Sequence, residues 1–316
     1  MRIVQFGMLI ALVVVGSAGS DVCGQDDETR TLKQGERERT YILHVPKELP
    51  KDKPVPLVIY FHGGSETREY PTQSGKFGEL ADRERFIFVM PHAVGGHWND
   101  GRQTDFESFK EKVDDAGFVA AMIAEIETKY RIDPKRIFAL GMSNGAMCSH
   151  YIAAGMSEKI AAIAAVVGGM PDPLHKSFKP KEPVAVLIIN GTKDPTVQPD
   201  PKLNRGRVLG VDDTVQLWVE HNRCRKEPAK EQLADTDPKD GCTVMRFTWS
   251  KGRDGTEVVL YKIEGGGHRW PGKDTPVIMR QSRAKHEDLT ARLGARCFDF
   301  EANEVIWEFF KRHPKP

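Results

Sequence analysis

A serine flanked by glycines is the residue best placed to act as a nucleophile. The segment GMSNG at 141–145 lies between a strand-like run at 136–140 and a helix-like run that begins at Asn144. A strand that turns sharply into a helix holds the serine hydroxyl clear of the sheet. The start of the helix also offers N–H groups that stabilise a developing anion. The pattern predicts Ser143 as the nucleophile.

A serine nucleophile needs a histidine to accept its proton and a carboxylate to orient that histidine. In folds with this kind of turn, the three residues follow in the order serine, acid, histidine. Asp194 comes just after a buried strand-like run, and His268 follows another within a stretch of glycines. Their order predicts Asp194 and His268 as the partners of Ser143. Two other carboxylates compete for the role of the acid: Asp172 and Asp200.

The segment HGGS at 62–65 follows the first buried strand-like run. A turn at this place can donate an N–H to an oxyanion from the side opposite the N–H of Asn144. We expect Gly64 to supply that N–H, with Ser65 as the second choice. We expect His62 to brace the loop by hydrogen bonding and not to act as a base.

Apolar runs of strand length alternate with amphipathic stretches of helix length along the chain. Runs such as 56–61 and 184–189 are continuously apolar, as in strands buried on both faces. Stretches such as 114–130 and 301–312 show helical spacing instead. The alternation predicts an α/β fold with a mostly parallel central sheet and helices on both faces. We expect a single catalytic domain over 39–316.

Charge and composition exclude several classes of protein. The chain has 46 Lys and Arg residues against 45 Asp and Glu residues, without the basic excess of a nucleic-acid-binding protein. A mean hydropathy of −0.46 argues against a polytopic membrane protein. The sequence contains neither a CxxC pair nor an HExxH motif, so we expect no protein-held metal and no cofactor.

The N-terminus has the layout of a secretory signal peptide over 1–20. Arg2 precedes an apolar run at 8–15, and small residues follow that run. An uncleaved membrane anchor is the alternative, although the run is short for a bilayer span. We expect a polar leader over 21–38 and a secreted or periplasmic protein. Lipidation at Cys23 is left open.

Export would permit disulfide bonds. Five cysteines are present, so at least one has no intramolecular partner. Cys224 and Cys242 flank a polar stretch and are the expected pair, whereas Cys148 falls in an apolar helical pattern and is expected in the core.

The motifs HGG, GMSNGA, NGTKDP and GGGHRWPG, with the tail EANEVIWEFFKRHP, resemble a known family. They are similar to the secreted polyhydroxybutyrate depolymerases and feruloyl esterases of the α/β-hydrolase fold, over about 39–314. The resemblance implies Ser143, Asp194 and His268 as the catalytic triad, and it supports a bridge between Cys224 and Cys242.

The resemblance implies hydrolysis of feruloyl or acetyl esters of the plant wall, or of short polyhydroxyalkanoate esters, through an acyl-enzyme. Ser65, Trp98 and Trp270, with Phe106, could contact such substrates, or the aromatic residues could pack beneath a loop. A serine peptidase on the same fold and a non-catalytic carbohydrate- or polymer-binding relative are the alternatives. The only partner expected is the ester substrate, and no oligomeric state is implied.

Overall fold

The computed structural model describes residues 27–50, 52–64, 75–102, 104–197, 208–273 and 286–316. The predicted signal peptide, Cys23, Ser65 and Asp200 lie outside these ranges. The strands are β1 Asp27–Gln34, β2 Arg37–His44, β3 Val55–Phe61, β4 Ile87–Pro91, β5 Ile132–Met142, β6 Ala162–Val166, β7 Ala185–Gly191, β8 Ala229–Gln232, β9 Thr243–Trp249 and β10 Val258–Glu264. The helices are α1 Gly75–Glu84, α2 Glu107–Lys110, α3 Asp115–Lys129, α4 Asn144–Gly155, α5 Asp172–Lys176, α6 Val211–Asn222, α7 His286–Leu293 and α8 Ala302–Arg312.

The strands form one sheet in the order β1-β2-β4-β3-β5-β6-β7-β10-β9-β8. The six strands from β4 to β10 in this order are parallel, and two antiparallel strands extend the sheet at each edge. The expectation of a mostly parallel sheet is confirmed. The carboxyl ends of the parallel strands lie at one edge, which is where open α/β sheets bind their ligands.

Hydrophobic cores cover both faces of the sheet. Successive residues of β3 point to opposite faces, so that Leu57 and Ile59 join one core while Val58 and Tyr60 join the other. The first core contains the apolar sides of α3, α4 and α6, and the second contains those of α1 and α8. Helices therefore cover both faces, as the alternation of strands and helices predicted.

The predicted polar leader is wrong from Asp27 onward, because Asp27–Gln34 forms strand β1. It pairs antiparallel with β2 along its whole length, from Asp27 opposite His44 to Gln34 opposite Arg37. The strand lies at the edge of the sheet, where most of its side chains can remain in water. Its one buried side chain, Arg30, donates a hydrogen bond to the hydroxyl of Tyr130. A polar composition is compatible with such an edge strand.

The expected bridge between Cys224 and Cys242 is also wrong. The structure has no bond between them, and they belong to the cores on opposite faces of the sheet. Cys224 directs its thiol to the carbonyl of Thr256, whereas Cys242 directs its thiol to the carbonyl of Asp240. The two residues are close in sequence, but the sheet separates them. Cys148 is buried in the first core, as expected.

None of the helices within the described ranges is both long enough and apolar enough to span a bilayer.

Candidate active site

The turn after β5 holds Ser143 in a strained conformation. Its φ of 56° and ψ of −120° are unfavourable for a residue with a side chain, and its N–H donates to Val166 O at 2.9 Å. Neither flanking glycine has room for a β-carbon. A β-carbon on Gly145 would lie 2.0 Å from Phe61 O, and one on Gly141 would lie 2.4 Å from the backbone of Gly145. Close packing of the turn therefore explains both glycines of the motif.

His268 and Asp194 form a buried pair at the same edge of the sheet. The Nδ1 atom of His268 lies 2.7 Å from Oδ2 of Asp194, and both residues are almost fully buried. The other oxygen, Oδ1, accepts hydrogen bonds from Thr196 N at 2.7 Å and Val197 N at 2.8 Å. Because the carboxylate accepts the proton on Nδ1, the Nε2 atom of the ring remains the nitrogen that can accept a proton from a nucleophile.

Two loops pack closely to bring this pair together. Strands β7 and β10 are neighbours, and Lys193 N in the loop after β7 donates to Gly266 O in the loop after β10 at 2.9 Å. A β-carbon on Gly191 would lie 2.2 Å from the same Gly266 oxygen, so only glycine allows this approach. Strand β5, which Ser143 follows, ends at the same edge, with β6 between β5 and β7.

The competing acid Asp172 lies elsewhere. It begins α5, and its nearest ionisable partner is His175 of the same helix, with Oδ1 and Nδ1 separated by 4.0 Å. Among the competitors in the described ranges, only Asp194 contacts His268.

The two expected oxyanion donors lie next to each other. A β-carbon on Gly64 would lie 3.7 Å from Cβ of Asn144. Asn144 is the first residue of α4, so its N–H has no partner within the helix and points out of the N-terminus. The loop after β3 and the turn after β5 therefore meet, as the expected oxyanion site requires.

His62 braces the loop after β3, as the sequence predicted. Its ring donates from Nδ1 to Gly63 O at 2.7 Å and accepts at Nε2 from Ala93 N at 3.1 Å. Burial lowers the pKa of His62 to about 4, so the ring is neutral and suited to one donor and one acceptor.

The sequence of this part of the chain matches a known family. Residues 39–178, which contain the loop after β3 and the Ser143 turn, match the family described as "Esterase PHB depolymerase". Residues 39–178 are a domain of that esterase family. The chain is accordingly a carboxylic ester hydrolase.

Relatives of this esterase have several named activities. It is 29% identical to "Feruloyl esterase B" of Piromyces equi over 73% of its own length and 42% of that protein. It is 27% identical to "Poly(3-hydroxyalkanoate) depolymerase C" of Paucimonas lemoignei over 72% of its own length and 58% of that protein. The chain thus spans less than two thirds of either relative.

The fold is shared with a solved structure named "Acetyl xylan esterase from Aspergillus awamori". The TM-score is 0.57 at 18% identity, and the match covers 90% of this chain and 99% of the other. The arrangement is that of the α/β-hydrolase fold.

A buried polar network fixes the residue after Ser143 in this esterase. The side chain of Asn144 accepts from Trp98 N at 2.7 Å and donates to Trp98 O at 3.3 Å and to Asp100 Oδ2 at 2.8 Å. Asp100 is fully buried and pairs with Arg102 at 2.9 Å. Burial raises the pKa of Asp100, and Arg102 opposes that rise. The network ties the Ser143 turn to the loop after β4.

A second buried ion pair supports the same loop. Asp115 Oδ1 accepts from Arg39 at 2.6 Å, and Asp115 Oδ2 accepts from Asn99 N at 2.7 Å. The Arg39 guanidinium also lies 4.0 Å from the ring centre of Phe118. Asp114, and not Asp115, caps helix α3 by accepting from Gly117 N. The helical spacing of 114–130 did not indicate the roles of Arg39, Asp100 and Asp115. Of these three residues, only Asp115 has a sequence signal, as the second residue of a doubled aspartate.

The two tryptophans expected as substrate contacts are core residues instead. Trp98 is fully buried, packs edge-on against Phe61 and donates from Nε1 to His62 O. Trp270 is 2% exposed and donates from Nε1 to Asn303 Oδ1. Both indole N–H groups are bonded to protein, as buried tryptophans require. Neither ring offers a surface to a substrate, which corrects that expectation.

Phe106 behaves differently. Within the described ranges it is the one large apolar side chain that is exposed, at 39%. Its ring stacks on His97, with centroids 3.6 Å apart and planes at 9°. The imidazole in turn lies against Gly64, where a β-carbon would be 3.0 Å from Cδ2 of His97. An open aromatic surface therefore lies beside the expected oxyanion site.

Proposed function

We propose that this esterase hydrolyses carboxylic esters with Ser143 as nucleophile, His268 as general base and Asp194 as the orienting acid. The observation that carries the proposal is the buried hydrogen bond between His268 and Asp194 at the sheet edge where the strained Ser143 turn ends. A neutral imidazole with its Nδ1 proton held by a carboxylate is the arrangement that activates a serine hydroxyl.

The reaction would proceed in two halves. His268 Nε2 accepts the hydroxyl proton while the Ser143 oxygen attacks the ester carbonyl, and the N–H groups of Gly64 and Asn144 stabilise the resulting oxyanion. The imidazolium then protonates the departing alcohol, which leaves an acyl-enzyme. Water activated by the same histidine releases the acid and restores Ser143.

The substrate class we propose is an ester with an aromatic acyl group, such as a feruloyl ester of the plant wall. The stacked Phe106 and His97 rings lie against Gly64, so an aryl group can pack on Phe106 while its carbonyl oxygen faces the donors. Burial lowers the pKa of His97, which favours a neutral ring for stacking. Acetyl esters and short hydroxyalkanoate esters are the alternatives within the family, and they would make less use of this surface.

A substrate panel tests the proposal. Purified enzyme is assayed with p-nitrophenyl acetate, methyl ferulate and hydroxybutyrate oligomers. We expect Phe106→Leu to lower kcat/KM for methyl ferulate by about 2- to 13-fold, since an aromatic pair contributes about 0.5–1.5 kcal/mol beyond its buried area. Turnover of p-nitrophenyl acetate should change less than twofold. Phe247→Leu on strand β9, the neighbour of edge strand β8, is the matched control.

Other outcomes would separate the alternatives. Equal losses on all three substrates would remove Phe106 from substrate selection. Cleavage of peptide anilides without ester turnover would favour a serine peptidase, and binding of polysaccharide without any turnover would favour a non-catalytic relative.

Export is part of the proposal and has its own test. The basic residue and apolar run at the N-terminus support secretion or periplasmic location. N-terminal sequencing of protein recovered outside the cytoplasm should begin near residue 21. A mature protein that still begins at Met1 would contradict cleavage.

A further inference from the structure

Two buried cysteines lie side by side near the loop that carries His268. Cys242 precedes β9, and Cys297 lies between α7 and α8. Their Sγ atoms and a carboxylate oxygen of Asp240 all lie within 4.8 Å of one another, and both cysteines are almost fully buried. Two thiols this close meet the first requirement of a disulfide, which is proximity.

One carboxylate holds the backbone beside both cysteines. Asp240 Oδ1 accepts from Cys242 N at 2.7 Å, and its Oδ2 accepts from Phe298 N, the residue after Cys297, at 2.6 Å. The two chain segments are therefore held together independently of any covalent bond. Such a preorganised pair can close without distortion of the backbone, and strain is the usual reason why a possible disulfide does not form.

A metal ion is the competing occupant of this cluster, and the donors do not suit one. Both oxygens of Asp240 already accept backbone N–H groups, and the nearby Asp299 accepts the Cys297 thiol at 3.7 Å.

We propose that Cys242 and Cys297 form a structural disulfide in the mature protein. The oxidant is the disulfide of a thiol–disulfide exchange partner or of oxidised glutathione in an oxidising compartment. Each cysteine loses its proton and the pair gives up two electrons to form the S–S bond. The donor disulfide accepts the two electrons and two protons and becomes two thiols.

The bond would stabilise the loop of the general base, an inference that rests on the proposed function. Carbonyl oxygens of the segment that ends at Cys297 accept the N–H groups of the His268 loop. Leu293 O accepts from His268 N at 2.6 Å, and Cys297 O accepts from Gly272 N at 2.9 Å. Gly267 N donates to Ala295 O at 2.8 Å between them. A bond to Cys242 would tether this segment to β9.

Peptide mapping tests the linkage without reference to catalysis. Full-length protein equilibrated with oxidised and reduced glutathione is denatured, alkylated and digested with trypsin without reduction. We expect the peptide 240–246 linked to the peptide 297–311, and carbamidomethyl groups on Cys148 and Cys224. Alkylated thiols at both Cys242 and Cys297, a Cys224–Cys242 link, or a stoichiometric metal that must be chelated before alkylation would each overturn the proposal.

Thermal unfolding tests the structural role. We expect Cys242→Ser, Cys297→Ser and the double variant to melt at about the same temperature, about 5–10 °C below the oxidised wild type. Reductant should lower the melting temperature of the wild type and leave these variants unchanged. Cys224→Ser, on the other face of the sheet, is the control and should keep the response to reductant. Additive losses in the double variant would contradict a shared bond.

Discussion

Replacement of Asp194 by asparagine separates the orientation of His268 from the stability of its loop. In the wild type, Asp194 Oδ1 accepts two backbone N–H groups while Oδ2 accepts the proton on His268 Nδ1. An asparagine can keep its oxygen toward the two N–H groups only if its NH2 group faces His268. Nδ1 would then accept a hydrogen bond, so the ring proton would move to Nε2.

The expected loss follows from that tautomer. With the proton on Nε2, the ring cannot accept the proton of Ser143, and kcat should fall by about 10⁴, which corresponds to about 5 kcal/mol in activation free energy. The stability of the fold should change little, because the asparagine oxygen still accepts both backbone hydrogen bonds, although it carries no charge. A loss of about 1–2 kcal/mol in unfolding free energy, or about 2–4 °C in Tm, is expected.

The assay is steady-state hydrolysis of p-nitrophenyl acetate by Asp194→Asn, with its melting curve recorded in parallel. Asp172→Asn is the matched control, since Asp172 is a half-exposed acid on α5, away from His268. It should remain within twofold of wild type. An Asp194→Asn variant within tenfold of wild type, or an equal loss in Asp172→Asn, would refute this assignment of the acid.

Three further predictions concern the framework of the site. Asn144→Ala should lower kcat by about 10- to 100-fold with little change in KM, because the Ser143 turn loses its hydrogen bonds to Trp98 and the backbone N–H of residue 144 is no longer held toward the oxyanion. An unchanged kcat would show that the side-chain network of Asn144 does not contribute to catalysis. Arg39→Met should lower the free energy of unfolding, measured in urea, by about 3–5 kcal/mol, because Asp115 is left buried and unpaired. The double variant Arg39→Met/Asp115→Leu should recover part of that lost free energy. Equal stability of Arg39→Met and wild type would contradict the buried Arg39–Asp115 ion pair. His44 is buried, which lowers its pKa, but hydrogen bonds to Asp27 and Asp82 outweigh burial and raise the pKa overall. The contribution of His44 to the free energy of unfolding should therefore be complete below the ordinary histidine pKa of about 6.5 and should decline as the pH rises through the folded-state pKa. The free energy of unfolding of wild type should exceed that of His44→Gln by more at pH 5.5 than at pH 8.5.

The positions of the catalytic candidates could be predicted because strand ends determine them. Ser143, Asp194 and His268 each follow an apolar run, and parallel strands bring their carboxyl ends to one edge. The Ser143 turn and the close packing of the loops after β7 and β10 also require glycines, and these glycines are visible in the sequence. The order of the central strands adds that β7 and β10 are neighbours, which is what brings Asp194 to His268.

Side-chain direction could not be predicted in the same way. Trp98 and Trp270 follow polar loop signals, but their rings turn inward, because each indole N–H has a buried acceptor formed by a distant residue. Asp100 and Asp115 look like polar surface residues, and only their long-range partners make them structural.

Contacts between residues far apart in the sequence could not be predicted either. Cys242 lies closer in sequence to Cys224 than to Cys297, yet the sheet divides the nearer pair. Strand β1 was missed because its polar side chains face water at an edge, where the alternation of apolar residues that marks a buried strand is weak.

The central claim is that Ser143 forms the acyl-enzyme, and covalent labelling tests it most directly. A fluorophosphonate, which reacts with activated serine hydroxyls, is incubated with wild type and with Ser143→Ala, and intact mass and fragmentation of the peptide 137–159 are measured. We expect one adduct per wild-type chain, located on Ser143 and not on Ser149 or Ser157, and none on Ser143→Ala, whose ester turnover should fall by about 10⁶. A wild-type adduct on another serine, or a Ser143→Ala variant that is labelled and retains a tenth of the turnover, would contradict the account.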